Sequence, residues 1–419
     1  MALGSRTRSA APPCDPVSAL LTAARSGAVF TTEVCRDTGR FAELAPEWGT
    51  LYRRCRTATP FQSHAWLYSW WLSYGQGCGA GGARGGRAGR AARRVRGGRG
   101  RLRVVLVRRS GEPVAAAALM LTHRPLPVLV HLGGSISDFS DVLLDDEHAG
   151  TAAPALADAL TELARTAVID LREVRPGAAA ERVYDCWHGP RRRLTDSACL
   201  ELPAVPMDGL LARLPAARAQ RVRAKLRKLD ALGIEERMVE GAEIPAAVER
   251  LLALHRLQWQ GRGVTPEHLS GRFAEHLTRA VRAMVDSGDA RVTEFTLAGA
   301  VVAADVTLMS GQLAGGYLYG ADPELRARKA DVATMLLRGG AAWIGGSGRA
   351  TLSMLRGNEP YKHHWRPETV TNQRLLLARS ALAPSLHLLV ARAAGRGRAA
   401  ELVKRARPRL RVRRGGDKG

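Results

Sequence analysis

The chain has 419 residues, of which 46% are hydrophobic and 24% charged, and its formal net charge is +24. This length allows two domains of ordinary size, and the hydrophobic content excludes a wholly disordered chain. No apolar run approaches the roughly 18 residues that a membrane span needs, and the first 16 residues lack the apolar stretch of a signal peptide. We therefore expect a cytoplasmic protein without a transmembrane segment.

The positive charge is concentrated in two low-complexity tracts. Residues 75–103 and 392–419 each carry a net charge of +9, which leaves +6 for the rest of the chain. Such tracts are usually solvated, and they bind polyanions weakly and in a salt-dependent way. We expect a disordered Gly/Arg insert at 75–101 and a basic, partly helical tail at 381–419, with at most weak contact to polyanions or anionic membranes.

The first 28 residues are predicted to be disordered, and residues 29–205 to form a first α/β domain. An aromatic helix follows Pro60, with Trp66, Trp70, Trp71 and Tyr74 at helical spacing. Apolar patterning then predicts strands at 102–107, 114–121, 128–132 and 141–144, and an amphipathic helix at 151–167.

Residues 206–380 are predicted to form a second domain with the same order of elements. Helices are expected at 246–259, 272–285 and 330–344, and strands at 291–297, 301–309, 313–319 and 351–355. Residues 103–121 align with residues 291–309 without a gap, and Gly111 and Gly299 fall at the same turn. Two copies of one supersecondary unit explain this similarity.

The segment between the two copies is strongly basic. Residues 207–232 carry apolar residues at helical spacing, and their other face carries Arg218, Arg221, Lys225 and further cations. The pattern predicts one amphipathic helix, whose basic side is either a solvated surface or a surface for an anionic substrate or phosphate.

The most informative motif is the run from Arg356 to Trp365, which follows the predicted strand 351–355. Its Arg-Gly-x-Glu-x-Tyr-Lys pattern resembles the C-terminal signature of the CelD/BioF2-like branch of the GNAT acyltransferases, a branch related to the Fem-type aminoacyltransferases. The resemblance covers roughly residues 60–380. It implies an α/β protein of tandem GNAT-like domains. Each would be a mostly antiparallel twisted sheet flanked by helices, with a V-shaped splay between strands four and five.

The resemblance implies an acetyl-CoA or other acyl-CoA co-substrate that enters this splay. Strand four would be 313–319, and the diphosphate would lie at the start of the helix that follows, where free N–H groups favour anions. The expected donor-binding residues are Arg326, Arg328, Lys329, Ala330, Asp331 and Val332. Asp331 departs from the small residue that is usual there, although it is a good residue for a helix start.

For the chemistry, an amine acceptor must lose a proton and the leaving thiolate must gain one. Glu359 and Asp305 are the candidate bases, and Tyr361, Tyr319 or Tyr317 the candidate acids. Asp305 is a candidate because it interrupts an apolar strand, where an unpaired carboxylate would be costly.

Four further residues are candidates for substrate binding. Arg356 and Lys362 can hold an anionic part of either substrate, and Asp138 and Asp141 are expected to face the acceptor groove. We further expect Glu359 and Tyr361 to project to one side of an extended backbone, with Lys362 pointing the other way.

No metal site is expected. The six cysteines have neither CxxC nor metal-ligand spacing and are predicted to be buried thiols of a reducing compartment, and His363-His364 has no partner cluster nearby in the sequence.

The sequence leaves three functions open. The first is an acyl-CoA-dependent N-acyltransferase of polysaccharide or cell-envelope synthesis. Its acceptor would be an amine-bearing small molecule or a glycan or peptide precursor. The second is a Fem-like transferase that uses aminoacyl-tRNA, and the third is a non-catalytic polyanion-binding protein. The oligomeric state is not predicted.

Overall fold

The computed structural model describes residues 29–75, 100–123, 125–260 and 265–395. The predictions for residues 1–28, for nearly all of the Gly/Arg insert and for the tail beyond residue 395 lie outside these ranges. Residues 383–395 are helical, and Leu386 and Leu389 pack against Val128 and Val168. The described part of the tail is therefore docked on the first half of the chain.

The first half, residues 29–205, is a sheet flanked by helices. Its elements are β1 (Phe30–Cys35), α1 (Thr38–Glu43), α2 (Ala45–Arg54), α3 (His64–Trp70), β2 (Arg101–Arg109), β3 (Glu112–His123), β4 (Pro127–His131), β5 (Leu143–Leu144), α4 (Ala149–Leu163), β6 (Val168–Val174), α5 (Ala179–Asp185) and β7 (Arg191–Pro203). The predicted hairpin, third strand and amphipathic helix are all present, whereas β1, β6 and β7 were not predicted.

The second half, residues 206–380, repeats this order. Its elements are α6 (Met207–Ala212), α7 (Ala216–Ala231), β8 (Glu235–Val239), α8 (Ile244–Gln258), α9 (Gly271–Asp286), β9 (Ala290–Leu297), β10 (Ala300–Met309), β11 (Leu313–Ala321), α10 (Glu324–Ala327), α11 (Val332–Ile344), β12 (Thr351–Arg356) and β13 (Glu368–Leu377). The seven helices and strands predicted between residues 246 and 355 are found within two residues of their expected ends, and β8, α10 and β13 were missed.

One sheet runs through both halves. Among the described residues its order is β1-β2-β3-β4-β6-β13-β7-β12-β11-β10-β9-β8, with β5 paired to β3. The two halves exchange strands at the centre, because β13 of the second half pairs with β6, and β7 of the first half pairs with β12. The two predicted domains therefore share one continuous sheet.

The internal repeat is confirmed by the turns of the two equivalent hairpins. In the hairpin β2–β3 the turn residues Ser110 and Gly111 both have positive φ, and so do Ala298 and Gly299 in the hairpin β9–β10. Two positive φ values in succession suit a tight hairpin whose twist matches that of its strands, and glycine is favoured there. The gapless alignment of the two hairpins thus holds in three dimensions.

The basic segment differs from its prediction. Instead of one helix over 207–232, the chain forms α6 and α7, which are separated at Pro215. Proline has no N–H to donate and disfavours a helical conformation in the residue before it, so it starts a new helix here. The apolar residues of both helices pack against α11 and β12.

The aromatic helix α3 joins the two halves. Ser69 donates a hydrogen bond to the carbonyl oxygen of His276 in α9 at 2.9 Å, and Trp66 Nε1 donates to Ser137 Oγ at 2.8 Å. The predicted aromatic helix is therefore part of the core.

Among the described residues, no helix is both long and apolar enough to cross a membrane.

Candidate active site

The candidate site begins where strands β11 and β12 part. They pair in parallel at only three positions, which end at Gly315 and Ser353. Strand β11 continues for six more residues to Ala321, and along that stretch it stays paired with β10. The edge of β11 that faces β12 is therefore left without a strand partner, as the predicted splay between strands four and five requires.

A cavity that is partly open to solvent lies between these strands and α11, and its empty space, open solvent included, is about 720 Å³. Its apolar wall comes from α11, β11 and β12, and its polar groups are few. Among its lining residues are Asp305, Thr307, Gly316, Tyr319, Tyr361 and Lys362. An apolar cavity with a few convergent polar groups is typical of a small-molecule site.

Asp305 lies inside this cavity, on β10. Thr307, two residues along the same face of the strand, donates a hydrogen bond from its hydroxyl to Asp305 Oδ2 at 3.0 Å. Burial, with a smaller contribution from the nearby Glu236 carboxylate, raises the pKa of Asp305 to about 7. A carboxyl group with a pKa near neutral pH can accept or release a proton under physiological conditions.

The roof of the cavity is helix α11, which carries two adjacent glycines. A Cβ atom at Gly339 would lie 3.0 Å from a carboxylate oxygen of Glu236, so glycine allows the helix to approach β8 closely. Gly340 lines the cavity, and a Cβ there would meet nothing within 4 Å. The pair of glycines therefore places α11 near the sheet while leaving space beneath it.

Two tyrosines predicted as proton donors line the same cavity. Burial raises the pKa of Tyr319 and of Tyr361, and the negative charge of Glu359 raises both further. Both phenols therefore keep their protons at neutral pH, as a proton donor to a leaving group must. Tyr317, the third predicted candidate, instead donates to the carbonyl oxygen of Ile136 at 2.9 Å and joins the two halves.

The run after β12 is a turn, and the expected extended backbone is wrong. Residues 357–361 lead into a short 3-10 helix, Lys362–Trp365, in which the backbone N–H of Lys362 donates to the carbonyl oxygen of Glu359 at 3.0 Å. Lys362 Nζ lies 2.9 Å from Glu359 Oε2. Lys362 therefore folds back onto Glu359 instead of pointing away from it.

Gly357 is required by this turn. Its φ is +116°, and a Cβ there would lie 2.6 Å from both carboxylate oxygens of Glu359. Glu359 keeps half of its side chain exposed, whereas Lys362 is buried and also donates to the carbonyl oxygen of Arg356 at 2.9 Å. The turn thus holds the carboxylate at the solvent end of the site.

Arg356 and Asp138 are partners of each other rather than free groups that face a substrate. Arg356 Nε donates to Asp138 Oδ1 at 2.7 Å, and Nη1 donates to Glu173 Oε1 at 3.2 Å. Burial raises the pKa of Asp138, although the Arg356 charge opposes this shift. The predicted substrate contact is replaced by an ion pair that ties the Glu359 turn to the first half.

Asp141 also has a role different from the predicted one. Its carboxylate is buried and accepts the N–H groups of Ala179 at 2.9 Å and of Ala180 at 2.7 Å, at the first turn of α5. A carboxylate at that position satisfies N–H groups that the helix leaves unpaired. Asp141 therefore stabilises α5 and does not face an acceptor groove.

The predicted diphosphate loop precedes α11, and its three cations are exposed. Arg328 forms an ion pair with Glu324 at 2.9 Å, and Lys329 has a φ of +54°. Asp331 caps α11 by accepting the N–H of Thr334 at 3.0 Å, which confirms its predicted place at the helix start, and its other oxygen binds Lys225. Burial opposes ionisation, but Lys225 and the Thr334 N–H hold the pKa of Asp331 below its usual value.

Some site residues were not predicted. Thr307 and Gly340 were missed because only the pairing of strands and the path of α11 bring them to the cavity. Glu173 was missed because β6 itself was missed. The alternation of Asp305 with Thr307 on a strand was a usable signal, since residues two apart share one face.

In the described ranges, no group of three or more His, Cys, Asp or Glu side chains is arranged to hold a metal ion. Cys35, Cys55 and Cys199 are buried free thiols.

Residues 216–363 match the sequence profile of the family described as "Acetyltransferase (GNAT) domain". The second half contains a GNAT-type acyltransferase domain. The matched range ends at the Glu359–Lys362 turn and includes α7, β11, α11 and β12. This match supports acyltransferase activity, whereas membership of the CelD/BioF2-like branch stays a prediction. No curated protein matches the sequence.

Solved structures show the same fold at low sequence identity. FemX is 11% identical, with a TM-score of 0.56 over 79% of this chain and 95% of that one. The C-terminal domain of a putative lysylphosphatidylglycerol synthetase from Agrobacterium fabrum is 11% identical, with a TM-score of 0.51 over 84% and 96%. A conserved protein of unknown function from Bacteroides thetaiotaomicron VPI-5482 is 13% identical, with a TM-score of 0.50 over 83% and 100%. The predicted fold class, an α/β protein of tandem GNAT-like layout, is confirmed.

Proposed function

We propose that the protein is an acyl-CoA-dependent N-acyltransferase whose donor enters between β11 and β12. The observation that carries the proposal is the parting of these parallel strands after Gly315 and Ser353, with an apolar cavity in the gap. A linear thioester needs such a slot, because its chain must reach the sheet edge while water is excluded from the reacting carbonyl.

The donor's diphosphate lies at the loop that leads into α11. Arg326, Arg328 and Lys329 are exposed there, and the first N–H groups of the helix favour an anion. Ala330, Asp331 and Val332 supply backbone at this helix start. Because Lys225 neutralises Asp331, its carboxylate does not have to repel a diphosphate.

In the reaction, the amine nitrogen attacks the thioester carbonyl, the C–N bond forms and the C–S bond breaks. Glu359 takes the proton that the amine loses, directly or through a water molecule, because its half-exposed carboxylate is open to the acceptor. Tyr361 gives its proton to the departing thiolate. Lys362 holds Glu359 in place through the 2.9 Å ion pair, and Tyr319 lies beside Tyr361 in the cavity wall.

Asp305 is the alternative base. Its pKa of about 7 suits proton transfer near neutral pH, but α11 covers it and the acceptor would have to enter the donor cavity to reach it. Glu359 is therefore the preferred assignment.

The acceptor is an amine-bearing small molecule or a glycan or peptide precursor, and the protein acts in the cytoplasm on polysaccharide or cell-envelope synthesis. A second candidate is an aminoacyl transfer from charged tRNA, which the exposed basic side of α7 favours.

The test is Glu359→Gln, which keeps the side-chain shape and removes the base. We expect turnover, measured as release of free thiol with a panel of amines, to fall roughly 10- to 1,000-fold. Acetyl-CoA affinity should stay within about twofold. Glu368→Gln, an exposed carboxylate at the start of β13, is the matched control and should have full activity.

Full activity of Glu359→Gln would mean that Asp305 or water, and not Glu359, accepts the proton from the amine. An equal loss of turnover and of acetyl-CoA affinity would show that the turn has a structural role and not a catalytic one. Thermal shifts with acetyl-CoA, longer acyl-CoAs and aminoacyl-tRNA separate the two candidate donors.

A further inference from the structure

Helix α7 carries a row of cations along one side. Arg218, Arg221, Lys225 and Lys228 follow one another at steps of three, four and three residues, so they lie on one face of the helix. The apolar residues Ala219, Val222 and Leu229 are buried beside this row. Arg221, Lys225 and Lys228 are exposed, while Arg218 is half-buried.

The row connects the two sides of the cavity mouth. At one end Arg218 Nη1 donates to the carbonyl oxygen of His364 at 3.4 Å, two residues after the cavity residue Lys362. Farther along, Lys225 binds Asp331, two residues before the cavity residue Ala333. Arg221 lies between these two anchors, so the row passes from the Glu359–Lys362 turn to the first turn of α11.

The charge of this row is largely uncompensated. The one acidic residue of α7 is Asp230, and it forms an ion pair with Arg338. Asp331 is the carboxylate that meets the row, through Lys225. Such a concentration of guanidinium and ammonium groups beside an open, mostly apolar cavity attracts a ligand that carries phosphate.

We propose that Arg221 and Lys228, on either side of the Lys225–Asp331 pair, bind a phosphate group of a substrate at the mouth of the β11–β12 cavity. The proposal rests on the proposed function only in placing this phosphate beside the same cavity. The phosphate belongs either to the acyl-CoA donor, as a second anchor beside the loop 326–332, or to a phosphorylated acceptor. The basic helix is thus part of the substrate site and not a solvated surface.

A pair of double variants tests this placement. Arg221→Ala with Lys228→Ala removes two exposed cations of the row and leaves the Lys225–Asp331 pair intact. Arg223→Ala with Arg227→Ala removes the same charge from the opposite side of α7, where both residues are exposed. Alanine is at least as favourable in a helix as these residues, so both variants should fold.

Binding is measured by titration calorimetry of the full-length chain with inorganic pyrophosphate, acetyl-CoA and uridine diphosphate, at two salt concentrations. We expect the Arg221/Lys228 variant to lose at least about tenfold in affinity for pyrophosphate, and the Arg223/Arg227 variant to lose less than about twofold. The difference should shrink at high salt, because exposed charges are screened.

The arms of the experiment identify the source of the phosphate. If the Arg221/Lys228 variant loses affinity for acetyl-CoA but not for uridine diphosphate, the phosphate belongs to the donor. If it loses affinity for uridine diphosphate but not for acetyl-CoA, the phosphate belongs to an acceptor. If the wild-type protein binds pyrophosphate through this row but does not bind acetyl-CoA, the proposal of an acyl-CoA donor is wrong and the proposal of a phosphate site is retained. Equal losses in both double variants, no loss in either, or no pyrophosphate binding to the wild type would overturn the proposal.

Discussion

The two halves of the chain build the same unit but use it differently. In the first half, β4 and β6 pair in parallel at three positions that end at Val130, as β11 and β12 do at Gly315. The next residue is His131 in β4 and Gly316 in β11. The registers of both hairpins agree with this correspondence, since His131 lies opposite Leu119 and Gly316 opposite Thr307, which are equivalent in the repeat.

The side chains at the parting point decide the outcome. His131 is buried, burial lowers its pKa to about 4, and β4 ends there. Gly316 has no side chain, β11 continues beyond it, and it lines the cavity. Asp305 likewise corresponds to the buried Ala117. Around the same strand opening, a few substitutions thus leave one copy of the unit packed and give the other a cavity.

The segments after β6 and β12 show the same contrast. Glu173 and Leu355, near the ends of these strands, both have positive φ. After β6 the chain enters α5, whose start is stabilised by Asp141. After β12 it forms the Glu359–Lys362 turn, which the Arg356 ion pair ties to the first half. In the proposed function, the first half therefore positions the turn, and the second half contributes the candidate reacting groups.

Among the tests of this comparison, the largest expected effect comes from placing the residue of the first half in the second half. Gly316→His should fill the gap beside β11 and lower turnover and acetyl-CoA affinity by roughly 10- to 100-fold or more, because the donor loses its slot. A Cβ at Gly316 would meet nothing within 4 Å, so the melting temperature should change little. Activity assays and thermal melts measure both quantities.

Gly346→His is the matched control, since Gly346 is also exposed and open to a Cβ but is not among the cavity residues. Normal donor binding by Gly316→His would show that the opening between β11 and β12 does not hold the donor.

A smaller effect is expected at the diphosphate loop, which is a feature of the second half. Replacing Arg326, Arg328 and Lys329 together with alanine should weaken acetyl-CoA binding by at least about tenfold through lost charge-assisted contacts. The triple variant Arg165→Ala, Arg182→Ala, Arg192→Ala removes three exposed cations of the first half and should bind normally. Unchanged affinity in the loop variant would place the diphosphate elsewhere.

The last effect is on stability, and it concerns Asp305, which occupies the position of Ala117 in the repeat. Burial raises the pKa of Asp305 to about 7, whereas its ordinary value is 3.8. Below about pH 4 the carboxyl is protonated in both states. Between about pH 4 and 7 the folded protein keeps a proton that the unfolded chain has lost, so the free energy of unfolding falls as pH rises and then levels off.

Asp305→Asn should remove this slope. In urea unfolding at pH 5, 6 and 7.5, the free energy of unfolding of the variant should rise relative to that of the wild type as pH rises. We expect a total difference of about 1–3 kcal/mol. Asp185→Asn, an exposed residue of α5, is the control. Parallel pH profiles for the wild type and Asp305→Asn would mean that Asp305 is ionised and solvated throughout.

The sequence by itself determined the repeated unit and most of its second copy. Amphipathic spacing and glycine turns are local signals, so the helices α8, α9 and α11 and the strands β9–β12 were predicted from them, and the Glu-x-Tyr-Lys run marked the end of β12. Asp305, Tyr319, Tyr361 and Lys362 were all chosen from sequence, and the structure brings all four to one cavity.

The tertiary structure alone decided how these residues are used. The central strands β7 and β13 pair across the halves, and a strand whose partners are distant in the chain leaves little local signal. Arg356 and Asp138 are 218 positions apart, so their mutual neutralisation was invisible in a motif that showed only free charges. The same holds for Lys225 and Asp331: their pairing depends on how α7 packs against α11, and packing is set by the whole core and not by spacing along the chain.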